Sequence, residues 1–225
     1  MPLNQNVVAN PRYLCRGFTR FQEIISTAKS PVVLFEGSRN VPVEIQMKME
    51  SLAAHLMKKF PPLIARSGNA EGSDEAWARG VNRVAPERLH LVLPVPNYRA
   101  KSIGPDNEVL SLREARPDDY GAARKLCREH YEYGSRRGAE AFDSMPPFKK
   151  NYLERDALKV LGHTDYSGKR RKASAALFFV DPQKPNGGGT GHTVRLCEVE
   201  RVPYFMADDW SEWMDIVPPP ATAQR

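Results

Sequence analysis

Short apolar runs alternate with amphipathic segments along most of the chain. The runs lie at residues 31–37, 62–68, 88–94, 173–181 and 202–207. Each has the length of a strand that is buried on both faces of a sheet. The segments that follow several of them carry apolar residues three and four positions apart, as in residues 43–60, which predicts amphipathic helices. The order predicts an α/β fold: a parallel sheet of about five strands with helices on both faces.

This rhythm is interrupted between residues 97 and 172. Two helices are predicted there, over residues 116–134 and 148–162. We interpret the stretch as the last crossover of the sheet, enlarged by a mainly helical insertion at about 100–148, before the fourth strand. The predicted organisation is an N-terminal extension (1–30), a main domain (31–210) and a C-terminal helix end with a tail (211–225).

Length and composition favour one main core in a cytoplasmic protein. The chain has 225 residues, of which 41% are hydrophobic. It contains no apolar run of about 20 residues, as a membrane span requires, and its first residues lack the apolar centre of a secretory signal. Cys15, Cys127 and Cys197 are far apart and have no CxxC spacing, which predicts reduced thiols. No cofactor or metal site is expected, because the histidines also lack metal-ligand spacing.

The charge balance makes an anionic partner plausible. The formal net charge is +6, and the basic residues cluster at 134–138 and 167–174. A positive field attracts phosphates, but a lone basic run is also typical of a solvated loop. No aromatic residues alternate with these basic residues, as they do in proteins that bind single strands. Charge alone therefore leaves single-stranded DNA open as a partner.

Three loops that contain glycine directly follow predicted strands, at residues 36–40, 67–75 and 187–193. Ligands of open parallel sheets bind outside the carboxyl ends of the strands, so these loops are expected at one edge. Two of them lead into helices whose first N–H groups are free to bind a phosphate or another anion. Taken singly, each loop could also be a tight turn or a helix cap. The candidate ligand-binding residues are Gly37, Ser38, Arg39, Asn40, Ser67, Gly68, Asn69, Glu71, Asp74, Gly188, Gly189, Thr190, Gly191, His192 and Thr193.

Several of these segments occur in a distinctive order, which is VVLFEGSRN, ARSGNAEGSDEAWARGV, NYLERDALKVLG, ALFFVDP and GGGTGHTVRLCEVERVPYF. This order resembles the SLOG superfamily of Rossmann-like proteins, which includes the LOG phosphoribohydrolases and the DprA/Smf recombination mediators. The likeness is greatest to the YspA-like and phage-associated DprA-like branch and covers roughly residues 31–205. The resemblance implies a Rossmann-like fold, a nucleotide or nucleotide-derived ligand held by the loops, and a homo-oligomer.

The resemblance leaves enzymatic activity uncertain. LOG enzymes carry the pattern P-G-G-x-G-T-x-x-E, and its catalytic glutamate falls on Arg195 in this chain. An arginine stays protonated and cannot act as a general base. Glu198, Glu71 or Asp74 could instead supply a carboxylate. His192 either titrates near neutral pH or donates to a phosphate beside the glycine loop, or it is a polar residue that fills the first turn of the helix.

Three functions remain open at this point. The leading hypothesis is a module that binds a nucleotide or a nucleotide-derived small molecule for sensing, sequestration or processing. The alternatives are a DNA-binding recombination mediator similar to DprA and a hydrolase of nucleotide N-glycosidic bonds. Trp210 and Trp213 either pack a terminal helix onto the sheet or contribute to an interface between subunits.

Overall fold

A computed structural model describes residues 11–134, 137–165, 167–184 and 187–213. Its centre is one six-stranded sheet in the order β4-β3-β2-β1-β5-β6, in which every neighbouring pair is parallel. The strands are β1 (Val32–Gly37), β2 (Ile64–Ser67), β3 (Leu89–Leu93), β4 (Glu108–Ser111), β5 (Ala175–Phe179) and β6 (Tyr204–Met206). The predicted α/β fold is confirmed, and its parallel sheet flanked by helices is Rossmann-like.

Helices connect all but one pair of consecutive strands in this sheet. The helices of the described residues are α1 (Phe18–Thr27), α2 (Val43–Lys59), α3 (Ser73–Asn82), α4 (Pro117–Gly134), α5 (Glu140–Asp143), α6 (Pro147–Leu161), α7 (Gly188–Val199) and α8 (Ala207–Trp210), of which α1 precedes β1 and α8 follows β6. Two short 3-10 turns flank β3, at Pro86–Arg88 and Ala100–Ser102. None of the helices in the described ranges is long and apolar enough to cross a membrane.

The strand count differs from the prediction by one. Strand β4 lies inside the interval that we interpreted as a helical insertion, so the predicted fourth strand is the fifth strand of the sheet. Strand β4 has only four residues and lies at the edge of the sheet, where Glu108 and Val109 are exposed. It therefore has neither a continuous apolar run nor a clear alternation for the sequence to reveal.

Each face of the sheet packs against its own set of helices. On one face, Phe35 and Leu177 share a core with residues of α1, α2 and α3, including Trp77. This core also buries Trp210 and Trp213, so they pack a C-terminal segment onto the sheet. The second core lies on the opposite face, between the sheet and helices α4, α6 and α7.

The predicted N-terminal extension includes helix α1, which is part of the first core. Phe18, Phe21 and Ile25 of this helix are buried. The cysteines are free thiols: Cys127 and Cys197 are buried and Cys15 is half-buried. The extended first core shows that part of the segment before residue 31 contributes to packing.

The strand order reverses once, beside β1. The chain builds β1 to β4 outward in one direction and then crosses to β5 on the other side of β1. The crossover carries α4, α5 and α6, and α6 contacts β3 as well as α4 and α7. The switch in direction leaves a crevice between the carboxyl ends of β1 and β5.

Candidate functional site

A cleft of about 480 Å³ lies at this switch point, and we call it the carboxyl-end cleft. It is lined by the loop after β1, the approach to α3, one side of α6, the segment after β5 and the first turn of α7. The predicted residues that line it are Gly37, Ser38, Arg39, Asn40, Asp74, Gly188, Gly189 and Thr190. The structure thus brings all three glycine-containing loops together.

The other predicted residues do not line the cleft; these are Ser67, Gly68, Asn69, Glu71, Gly191, His192 and Thr193. Ser67 and Thr193 are buried. The Asn69 amide donates to the carbonyl of Tyr98 at 3.0 Å, and the Gly68 carbonyl accepts from Arg155 at 2.6 Å. The exposed Glu71 is 3.9 Å from Arg99. Most of the second loop therefore packs against neighbouring residues and does not line the cleft.

The His192 side chain lies in the second core. Helix α7 begins at Gly188, earlier than the sequence suggested, so His192 falls on its buried face. The His192 Nε2 atom is 3.7 Å from the Cys127 sulfur, and the ring contacts His130 and Tyr131. Burial lowers the pKa of His192 to about 3, so the ring is neutral near pH 7. The prediction that His192 titrates or donates to a phosphate beside the ligand is therefore wrong, because the ring is buried and does not line the cleft.

Neither Glu198 nor Arg195 supplies a carboxylate or a base to the cleft. Glu198 accepts hydrogen bonds from the backbone N–H groups of Arg12 and Tyr13 and from the Tyr204 hydroxyl. Arg195 donates to His130 Nε2 at 3.2 Å. Glu198 therefore attaches the N-terminal segment to α7 and β6, and the expectation that it could replace the motif glutamate is wrong.

The floor of the cleft is a buried ionic network between β1 and α6. Lys159 contacts the Glu36 carboxylate, and its Nζ is 2.9 Å from Asp156 Oδ1. The Arg155 Nε atom is 3.0 Å from the same oxygen. Asp74 is also buried and accepts from the N–H groups of Gly68 and Ala70, which orders the second loop. Charges buried this deeply are tolerated only when they are paired.

The network separates the pKa values of its two central carboxyl groups. Burial raises the pKa of Glu36 to about 7, although the charge of Lys159 opposes the shift. Burial would also raise the pKa of Asp156, but the charges of Lys159 and Arg155 outweigh it and hold the pKa below the usual range. Asp156 is therefore the ionised carboxylate at neutral pH.

One oxygen of Asp156 remains free. Asp156 Oδ2 is buried and has no hydrogen-bond partner among the described residues. It faces helix α7, because a Cβ atom on Gly189 would lie 3.0 Å from it. The preceding Gly188 has a φ of 67°, a conformation that favours glycine. These two glycines let the helix start approach the carboxylate closely.

The opposite wall of the cleft offers positive charge. The first turn of α7 carries backbone N–H groups that have no acceptor within the helix. The exposed Arg39 and Lys184 line the same cleft. Within the part of the chain that the structure describes, neither side chain has a carboxylate at ion-pair distance. The cleft thus combines an anion-binding wall with a carboxylate floor.

Several residues of the cleft were missed by the sequence analysis; they are Glu36, Tyr152, Arg155, Asp156, Asp181 and Lys184. Glu36 had the clearest signal, since a carboxylate at the end of a strand buried on both faces needs a partner. Arg155, Asp156 and Lys159 interrupt the apolar positions of a buried helix. That pattern indicates buried charge, but only the fold places it beneath the loops.

No family model matches the chain, and no curated protein or solved structure is significantly similar to it. The resemblance to the SLOG superfamily therefore stays a prediction from the residues themselves.

Proposed function

We propose that the carboxyl-end cleft binds a nucleotide or a nucleotide-derived small molecule, for sensing, sequestration or processing. The observation that carries this proposal is the free Asp156 carboxylate oxygen on the floor of a cleft whose wall is the N-terminus of α7. A ligand that satisfies both needs an anionic group and, at a distance from it, a hydrogen-bond donor.

A phosphorylated sugar has this combination. Its phosphate would accept from the N–H groups of Gly189 and Thr190, with Arg39 and Lys184 adding positive charge. A sugar hydroxyl would donate to Asp156 Oδ2, which otherwise lacks a partner. The volume of about 480 Å³ lies within the range of clefts that hold small molecules.

Hydrolysis of an N-glycosidic bond is the second candidate, and the free Asp156 oxygen favours it. An ionised carboxylate that is close to a sugar can stabilise positive charge that develops during cleavage, or it can accept a proton from water. Asp156 would then take the place of the glutamate that the LOG pattern has and this chain lacks. Release of a free base that is lost in Asp156→Asn but not in Glu198→Gln would support turnover.

The DNA-binding alternative draws less support from the basic run at 167–174. Arg170 is 2.6 Å from the buried Asp119, and Arg171 is 3.3 Å from Asp165. Lys172 is 3.6 Å from Glu200. These pairs neutralise much of the charge that would attract a phosphate backbone. The other basic run, at 134–138, lies partly outside the described residues.

Thermal unfolding with a panel of ligands tests the proposal. The panel contains mono-, di- and cyclic nucleotides, ADP-ribose-like compounds and a short single-stranded oligonucleotide. A small nucleotide at about 100 times its Kd should add about 2.7 kcal/mol of stability. In a chain of this length, the melting temperature should rise by about 5–10 °C.

Two glycine variants provide the matched controls. Gly189→Asp places a carboxylate beside Asp156 and at the start of α7, so it should abolish the ligand-induced shift. Gly121→Asp lies in open space on helix α4 and should keep the shift. Equal shifts in both variants, or a shift with the oligonucleotide only, would contradict the proposal.

A further inference from the structure

A second cleft, of about 470 Å³, lies near the other end of the sheet. We call it the amino-end cleft, and its central residues are Arg66, His90, Glu108, Arg116 and His163. It is formed by β2, β3 and β4 together with the segment that follows α6. None of these residues was a candidate in the sequence, because they belong to strands and to loops without a recognisable motif.

Strand register places three of these residues in one row. Arg66 pairs with His90 across β2 and β3, and His90 pairs with Glu108 across β3 and β4. On the other side of Arg66, the same row continues with Leu34, which is part of the second core. The sheet face that packs against α6 therefore changes from apolar to ionisable toward its edge.

Arg66 is a buried cation that has no direct ion-pair partner among the described residues. It is 1% exposed, and its Nη1 donates to the carbonyls of Lys159 at 2.9 Å and Arg171 at 3.0 Å. These bonds cap the end of α6, but Nε has no hydrogen-bond partner. No carboxylate lies within ion-pair distance of its guanidinium among the residues that the structure describes. A buried charge of this kind normally has a counter-ion.

The acidic groups of the cleft already have partners. Glu108 lies between two imidazoles, 3.0 Å from His90 Nε2 and 3.5 Å from His163 Nε2. Asp119 pairs with Arg170, and Asp165 pairs with Arg171. Glu114 accepts hydrogen bonds from the N–H and hydroxyl of Ser111. Arg116 is exposed and, in the described ranges, has no carboxylate at ion-pair distance, so neither it nor Arg66 has a direct ion pair; the charge of Glu108 attracts Arg66 only from beyond contact distance.

We propose that the amino-end cleft is a second ligand site, which binds a small oxyanion such as phosphate or a carboxylate between Arg66, Arg116 and the two histidines. The side chain of Glu108 is half exposed at the edge strand, and it occupies the position that an external anion would take. A metal ion is a poorer fit beside a guanidinium, and no group of three suitable side chains is found in the described part of the chain.

Nuclear magnetic resonance of the histidine rings tests this site directly. Inorganic phosphate and, separately, acetate are titrated at pH 7.5 and constant ionic strength, with chloride as the balancing anion. We expect saturable shifts of the His90 and His163 ring signals with at least one of the two anions. The arm that responds identifies the anion class that the site prefers. Either arm supports an oxyanion site, because both share the same chemistry with guanidinium and imidazole groups.

Four variants make the result specific. Glu108→Gln removes the competing carboxylate and should tighten binding about threefold or more. Arg116→Gln should weaken binding by up to about fivefold, whereas Arg113→Gln, an exposed arginine that does not line the cleft, should change it less than about twofold. Gly189→Asp, which blocks the carboxyl-end cleft, should leave these shifts intact. The experiments can therefore contradict one of the two proposed sites without contradicting the other.

Two outcomes would overturn the proposal. One is the absence of saturable ring shifts with both anions. The other is an equal loss in Arg116→Gln and Arg113→Gln, since this would reveal general charge screening in place of a site.

Discussion

The carboxyl-end and amino-end clefts have similar volumes, but their buried cations have different kinds of partner. Helix α6 contributes to both: Arg155 and Asp156 face the first cleft, and Arg66 caps the end of the helix beside the second. In the first cleft, each buried cation has a carboxylate of the protein as its partner. In the second, the buried Arg66 is held only by backbone carbonyls.

The two clefts therefore differ in whether their buried cations have direct ion-pair partners. Each charged side chain of the ionic network in the first cleft has an ion-pair partner, and Asp156 Oδ2 is the carboxylate oxygen that a ligand could satisfy together with the helix N-terminus. In the second cleft, the carboxylates contact groups other than Arg66, which has no direct ion-pair partner among the described residues. The fixed charges of the first cleft should therefore orient a bound ligand. In the second cleft, a buried cation without a direct ion pair indicates that the ligand is an anion.

The largest expected effect compares the two buried cations. Lys159→Met removes the ion-pair partner of Glu36 and one of the two partners of Asp156, and it should lower the free energy of unfolding by about 3–5 kcal/mol, because it leaves the buried Glu36 unpaired. Arg66→Met removes two hydrogen bonds to carbonyls but also a buried charge without a direct ion pair, so its loss should be about 1–2 kcal/mol. Urea unfolding at pH 7.5 measures both.

Lys149→Met is the matched control for these two variants. Lys149 is exposed on helix α6, and its replacement should change stability by less than about 0.5 kcal/mol. A loss in Arg66→Met as large as that in Lys159→Met would remove the contrast between the clefts. It would mean that Arg66 has a counter-ion within the protein after all.

The second prediction concerns the pH dependence of stability, because the two clefts contribute opposite slopes. Burial raises the pKa of Glu36 from its ordinary 4.5 to about 7. The folded state thus binds more protons between these values, and the Glu36 contribution to stability falls as pH rises through them. Burial lowers the pKa of His90 from 6.5 to about 4, so its contribution rises as pH rises from 4 to 6.5.

Urea unfolding at pH 4.5, 5.5 and 6.5 separates the two contributions. Glu36→Gln should make stability increase more steeply with pH than in the unmodified protein, and His90→Gln should make it increase less. Each change is bounded by about 1.4 kcal/mol per pH unit. The buried His130 and His192 titrate alike in both variants, and so they do not affect the comparison. Slopes that change in the same direction would contradict the assignment.

The two clefts also show how far the sequence could predict this molecule. Gly37, Gly188 and Gly189 are visible as loop residues after strands, and the parallel topology then places their loops at one edge. Asp156 lies more than a hundred residues from Gly37, and only the packing of α6 brings its carboxylate to the cleft floor. The periodicity of that helix predicts its existence but not its position over the sheet.

The amino-end cleft could not be predicted for a different physical reason. Arg66, His90 and Glu108 become neighbours only through strand register, which is set by the fold as a whole. Strand β4 gave no pattern to detect, because its exposed edge position does not require apolar residues. Sequence motifs thus indicate sites formed by loops, whereas sites formed within strands depend on pairing.

The smallest expected effect concerns the basic run, in comparison with the carboxyl-end cleft. Lys172 pairs with Glu200, whereas Lys184 has no such partner among the described residues and lines the cleft. Lys172→Gln should therefore change the affinity for an oligonucleotide less than about twofold and leave its salt dependence unaltered. Lys184→Gln should weaken binding of the stabilising nucleotide by up to about fivefold.

If the run instead contacts a phosphate backbone, the salt slope should fall by about one in Lys172→Gln, because one fewer counter-ion is released. Fluorescence anisotropy at several salt concentrations distinguishes these results, and a reduced slope would favour the DNA-binding alternative over the small-molecule site.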